Sequence, residues 1–148
     1  YEPQEQYTHQ RSDASGAFPN KYPGRFDTDS DGTSDDFNQA WINNLLGPVD
    51  DFKAKHSVPV SVTEYGIVRW QPGADRFLDD EMSRFEDSGM NYTVWSWQPA
   101  SKGFNQAQND FNFRFGRDLN NLTENGSELY STLKKYWAKN KVRPSDFR

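Results

Sequence analysis

From residue 37 onward, apolar positions recur with a regular period, and that period gives the elements. Phe37, Trp41, Ile42, Leu45 and Leu46 stand at helical spacing, with Asp35 or Asp36 placed to cap the start. Gly47-Pro48 is expected to break or kink this helix before a second turn carrying Val49 and Phe52. Val58-Pro-Val-Ser-Val-Thr63 is a β-branched run with its proline near the beginning, where a strand tolerates one, and it leads into Glu64-Tyr65-Gly66. Phe77, Leu78, Met82 and Phe85 make a second helical stripe closed by Gly89. Asn91-Tyr-Thr-Val-Trp-Ser-Trp97 then has the composition of a strand. A polar stretch rich in Asn and Gln runs from about 98 to 126. Leu129, Tyr130, Leu133, Tyr136 and Trp137 define a last helix, and Lys134, Lys135 and Lys139 suit its C-terminal end.

Residues 1–36 follow no such period. Pro3, Gly16, Pro19, Pro23, Gly24 and Gly32 with almost no aliphatic side chains predict a long irregular loop, and loops of that length usually serve a function. The remainder, 37–148, is a series of βα units, and strands alternating with helices are the mark of parallel α/β architecture. Two clear strands are too few for a closed (β/α)₈ barrel, which takes about 250 residues. The expectation is one partial domain over 1–148 with the organisation of the last part of such a barrel. An opening Tyr-Glu-Pro without Met fits a processed or excised piece.

Composition narrows the partners. The mean hydropathy of −1.06 is low for a globular domain. The 5 Trp, 7 Tyr and 11 Phe nevertheless argue against general disorder, which is poor in aromatics. The net charge of −5 speaks against nucleic acid, and no apolar run approaches a membrane span of about 20 residues. With 0 Cys there is no disulfide framework and no thiol chemistry. The charge is local: residues 27–36 hold Asp27, Asp29, Asp31, Asp35 and Asp36 and no base, so the rest of the chain is formally neutral. Asp27-x-Asp29-x-Asp31-Gly32-x-x-Asp35 has the spacing of a calcium loop, with the Thr33 carbonyl at the seventh position. Asn38 stands where an EF-hand has its bidentate Glu, so a short structural calcium loop is expected, against the plainer alternative of a solvated acidic turn.

Candidate chemistry sits at the strand ends. VPVSVTEYG followed by NYTVWSW puts Glu64 and Trp95 at the same, C-terminal end of successive parallel strands, the end that carries barrel active sites. A carboxylate beside an indole suits sugar chemistry, where the acid stabilises an oxocarbenium-like centre and the flat ring packs on the pyranose. The alternative is a Glu that ends a strand and a Trp that fills a core. Trp70 and Trp97 lie just beyond strand ends and are candidates to extend a sugar-binding surface, burial being the other option. His9 and His56 have no metal spacing, and Arg69 is placed to pair with a loop carboxylate.

These residues resemble the C-terminal part of glycoside hydrolase family 5, the cellulase family of retaining (β/α)₈ enzymes. The family's seventh strand ends in a nucleophilic Glu within Glu-Phe/Tyr-Gly, matched by Glu64-Tyr65-Gly66, and its eighth strand carries a sugar-stacking Trp, matched by Trp95. The opening Tyr-Glu-Pro with Tyr7-Thr-His-Gln10 resembles the segment after the sixth strand, where a Tyr, here Tyr1, contacts the nucleophile. The resemblance covers roughly residues 1–100 and implies an endo-acting, secreted β-1,4-glucan hydrolase. It lacks the family's Asn-Glu-Pro, whose Glu is the acid/base on the fourth strand. The nucleophile half is therefore expected without its proton donor, with self-association or a complementing N-terminal fragment as the way to complete the barrel. The rival expectation is a non-catalytic, calcium-stabilised carbohydrate-binding piece.

Overall fold

The computed structural model describes residues 4–97, 109–118, 120–124 and 126–140. Helix α1 (Glu5–Thr8) precedes a hairpin of β1 (Gly24–Phe26) and β2 (Asp35–Phe37), paired antiparallel with Gly24 opposite Phe37. Then follow α2 (Gln39–His56), β3 (Ser61–Tyr65), α3 (Ala74–Asp87), β4 (Asn91–Val94) and α4 (Glu128–Trp137). β3 and β4 pair in parallel with α3 as the crossover, as the alternation predicts. The fold is a small mixed α/β arrangement of two two-stranded sheets among the described residues, and no barrel closes within it. No helix among those residues is long and apolar enough to cross a membrane.

Three expectations are corrected in detail. The 1–36 stretch holds a short helix and a hairpin, and Asp35 and Asp36 lie in β2 rather than capping a helix. The cap is Asn38, whose side-chain oxygen accepts from the Trp41 amide at 3.1 Å. Helix α2 also runs through Pro48. A proline deprives the carbonyl four residues earlier of its donor. That residue, Asn44, lies on the exposed side of the helix.

Helix α3 is preceded by Gly73, at φ +81°, where a Cβ would collide with the Tyr22 carbonyl. It buries Ala74, Phe77, Leu78, Met82 and Phe85 along one stripe. Helix α4 is capped by Ser127, which accepts from the Tyr130 amide at 3.0 Å and donates to the Phe113 carbonyl. It packs on α3, with the Tyr136 hydroxyl donating to the Asp79 carbonyl at 2.7 Å. Tyr7 and Tyr22 each pack edge to face on Phe37 and Phe77, with centroids 5.2–5.6 Å apart. The Tyr7 hydroxyl donates to the Pro72 carbonyl at 2.9 Å, which ties the N-terminal segment to the loop after β3.

Candidate functional site

One extra residue in β3 shapes the site. Val62 lies opposite Tyr92 and Tyr65 opposite Val94, so β3 spends three steps where β4 spends two. This bulge breaks the alternation of the strand: Thr63 and Glu64 are both exposed and Tyr65 turns inward onto Phe85 and Tyr92, at 5.4 and 5.7 Å. Glu64 is thus presented to solvent one residue from the C-terminal end of β3. Trp95 follows the last residue of β4, its amide bonded to the Tyr65 carbonyl at 2.7 Å. The strand ends come so close that a Cβ on Gly66 would collide with the Trp95 carbonyl oxygen. Gly66 is therefore what lets the two strand ends meet.

Glu64, Gly66 and Trp95 share a cleft of about 90 Å³ with His9, Tyr65 and Phe111. Trp95 is 38% exposed. Glu64 also lines a second cavity of about 150 Å³, together with Trp41, Ile42, Leu46, Phe77 and Glu81. The Tyr65 hydroxyl is buried and has no hydrogen-bond partner among the described residues. Burial first, and then the charge of Glu81, push its pKa above the ordinary phenol value.

The other candidates are distributed elsewhere. Trp97 is half exposed, but its ring packs on Phe113 and Trp137 at 5.6 and 6.2 Å under the Arg114 guanidinium, and it does not line the Glu64 cleft. Trp70 is buried between Arg11 and Arg69, and its indole N–H donates to the Gln10 carbonyl at 3.3 Å. Arg69 is buried and donates to the carbonyls of Asn109, Gly116 and Asp118, holding that loop together. Tyr1 lies outside the described residues. His56 is exposed and packs on Phe52 at 4.5 Å. His9 and Phe111 are cleft residues that sequence spacing gave no reason to join to Glu64, because the four chain segments meet only in the fold.

The acidic loop spans the tip of the β1–β2 hairpin. One carboxylate oxygen from each of Asp27, Asp29 and Asp31 lies within 4.8 Å of the others. The loop is wound around these carboxylates: Asp27 accepts from the amides of Asp31 and Gly32, Asp29 from Asp31, and Asp31 from Thr33 at 2.7 Å. The Gly32 amide is the main reason the Asp27 carboxyl is held below its usual range. Asp35 is engaged with Thr28, accepting from its amide and hydroxyl, so the convergent set is three carboxylates rather than four. No family model and no curated protein matches the chain.

Proposed function

We propose that this chain carries the nucleophile side of a retaining glycoside hydrolase of the family 5 type, as the C-terminal portion of a (β/α)₈ barrel acting on β-1,4-glucan. The observation that carries the reading is the cleft in which Glu64 and the exposed Trp95 meet at the C-terminal ends of two parallel strands. In this reading Trp95 stacks on a pyranose and fixes its anomeric carbon before Glu64. The carboxylate attacks that carbon, the glycosidic bond breaks, and the departing oxygen takes the electron pair. An acid/base carboxylate elsewhere in the barrel supplies the proton and later activates the water that frees Glu64. Tyr1 is assigned to orient Glu64. A polymeric glucan is met outside the cell, which makes the parent enzyme a secreted one.

The hairpin is assigned a structural calcium ion held by Asp27, Asp29 and Asp31, with the Thr33 carbonyl as a further ligand and Asp35, engaged by Thr28, outside that set. The proximity of three carboxylates, one oxygen of each within 4.8 Å of the others, supports this, because uncompensated charges at that spacing repel.

The test uses a 2-fluoro cellobioside with a dinitrophenolate leaving group, which departs without protonation and so does not need the acid/base residue. The expected result is a glycosyl ester mapped to Glu64 by peptide mass spectrometry and absent from Glu64→Gln. Absence of the adduct, with cello-oligosaccharide binding retained, would favour the carbohydrate-binding reading instead.

A further inference from the structure

We infer that the cavity between α2, β3 and α3 binds a small organic ammonium ion, one positive charge on an apolar body of about one six-membered ring. The inference goes beyond the glycoside reading and does not depend on it, because Trp95, His9 and Phe111 of the Glu64 cleft do not line this cavity.

The walls of the cavity are divided by chemistry. Trp41, Ile42, Leu45 and Leu46 form an apolar wall, and all four come from α2. The polar side chains stand opposite in the chain: Glu64 and Tyr65 on β3, Glu81 on α3 and Gln4 in the N-terminal segment. The volume of about 150 Å³ is that of an apolar cavity that takes up benzene. Leu45 belongs both to this wall and to the exposed surface, which gives a ligand its way in.

Two observations select a cation. The first is charge: Glu64 and Glu81 line the cavity, and among the described residues no Lys, Arg or His does. Glu81 is only 9% exposed, and a carboxylate so shielded from water gains most from a positive partner. The second is a pair of orphaned atoms on residues that line the same cavity. The hydroxyl of Tyr65, a residue 4% exposed, and Gln4 Oε1 are buried with no hydrogen-bond partner among the described residues. The charge of Glu81 acts on that hydroxyl, so the two stand near each other. An amide oxygen and a carboxylate only accept, and a phenol oxygen accepts as well. The ligand must therefore donate, and an ammonium brings three donors together with its charge. Trp41, packed edge to face on Phe37 at 4.9 Å, adds an aromatic wall that favours a cation over a neutral group.

The experiment titrates the 148-residue chain at neutral pH with benzylammonium, benzyl alcohol and toluene. Calorimetry reads affinity, and nuclear Overhauser contacts to the Ile42 and Leu46 methyls read the place. The expected result is one benzylammonium bound against those methyls, with benzyl alcohol at least about tenfold weaker, the lower end for a hydrogen bond to a charged group. Glu81→Gln is expected to weaken benzylammonium by about the same factor, and Tyr65→Phe by roughly fivefold, the worth of a neutral hydrogen bond. Tyr65→Phe should do so with an unchanged or higher melting temperature, which separates a ligand contact from a role in the fold. Should Glu81→Gln not fold, Tyr65→Phe and the comparison with the alcohol decide. Equal affinity for all three compounds overturns the inference and leaves an apolar cavity indifferent to charge. Benzylammonium bound without contacts to Ile42 and Leu46, or bound equally well by the variants, also overturns it, since the cation would then sit elsewhere. So does the absence of any binding. Each of these outcomes leaves the glycoside reading standing, because labelling of Glu64 by the fluoro-sugar is read separately.

Discussion

Gly66 and Tyr65 follow Glu64 directly, and each makes a separate prediction. A Cβ at Gly66 meets the backbone carbonyl of Trp95, an atom that cannot rotate aside. Gly66→Ala is expected to push the strand ends apart and to cost about 1–3 kcal/mol, the usual range for overpacking, read from urea unfolding. Little change would mean that the Trp95 backbone yields easily. Tyr65 behaves differently, because its buried hydroxyl lacks a partner among the described residues. Tyr65→Phe is expected to be neutral or stabilising, since it removes a desolvated group without removing a hydrogen bond. Alkaline pH extends the same logic to Tyr7 and Tyr22, whose hydroxyls burial also holds above the ordinary value of 10.0. Below that pH the folded and unfolded chains are both protonated, and nothing is lost. Above it the unfolded chain releases phenolic protons that the folded chain retains, so stability should fall as pH rises from 10.0. Melting temperature against pH, followed with phenolate absorbance, checks this, and Tyr65→Phe should flatten the slope. Phenolate signals that appear well before unfolding would show these rings to be solvated.

The β1–β2 hairpin is the element least visible in the sequence, and the reason is its length. Three-residue strands such as Gly24-Arg-Phe26 and Asp35-Asp-Phe37 are too short to show alternation, and the acidic spacing at the tip draws the eye to its ligands instead. Phe26 and Phe37 nonetheless pack at 5.2 Å and carry the hairpin onto Tyr7. Helix α2 was legible as a helix from its stripe, but Pro48 concealed its length, because whether a proline stops a helix depends on what surrounds the freed carbonyl. The hairpin yields the prediction at this scale. Its tip sets three carboxylates within 4.8 Å of one another, while its strands and the core beneath resist spreading them. Calcium in large excess over its dissociation constant is expected to raise the melting temperature by roughly several degrees through linkage. Asp29→Asn or Asp31→Asn should remove most of that rise. An unchanged melting temperature with chelator and with calcium would identify the tip as a solvated acidic turn.

At the scale of the whole molecule, the order of helices and strands and the parallel pairing were legible, because a period of 3.6 or 2 is a local property. The cleft was legible only in part: Glu64 and Trp95 follow from strand ends, whereas His9 and Phe111 arrive from segments whose approach only tertiary packing decides. What the parallel pair lacks governs the last prediction. A two-stranded sheet is marginal alone, and parallel sheets ordinarily have both faces covered. Among the described residues β3 and β4 pair only with each other, and Leu45, Phe52 and Val58 stay exposed nearby. If the proposed chemistry is right, the chain alone should cleave β-glucan polymer very slowly while still reacting with activated aryl glycosides. A sugar leaving group needs a positioned acid, which typically contributes about 10²–10⁴-fold, and among the described residues no second carboxylate lines the Glu64–Trp95 cleft. Glu81 shares the neighbouring cavity with Glu64, but it does not line the cleft that holds Trp95. The rate should therefore depend steeply on leaving-group acidity, high for dinitrophenolate and near the detection limit for reducing-sugar release from soluble β-glucan. Polymer turnover within about tenfold of the ordinary enzyme median of roughly 10 s⁻¹, lost in Glu64→Gln, would overturn this. It would mean that a proton donor within this chain, or in a second copy packed on its open strand edges, completes the site.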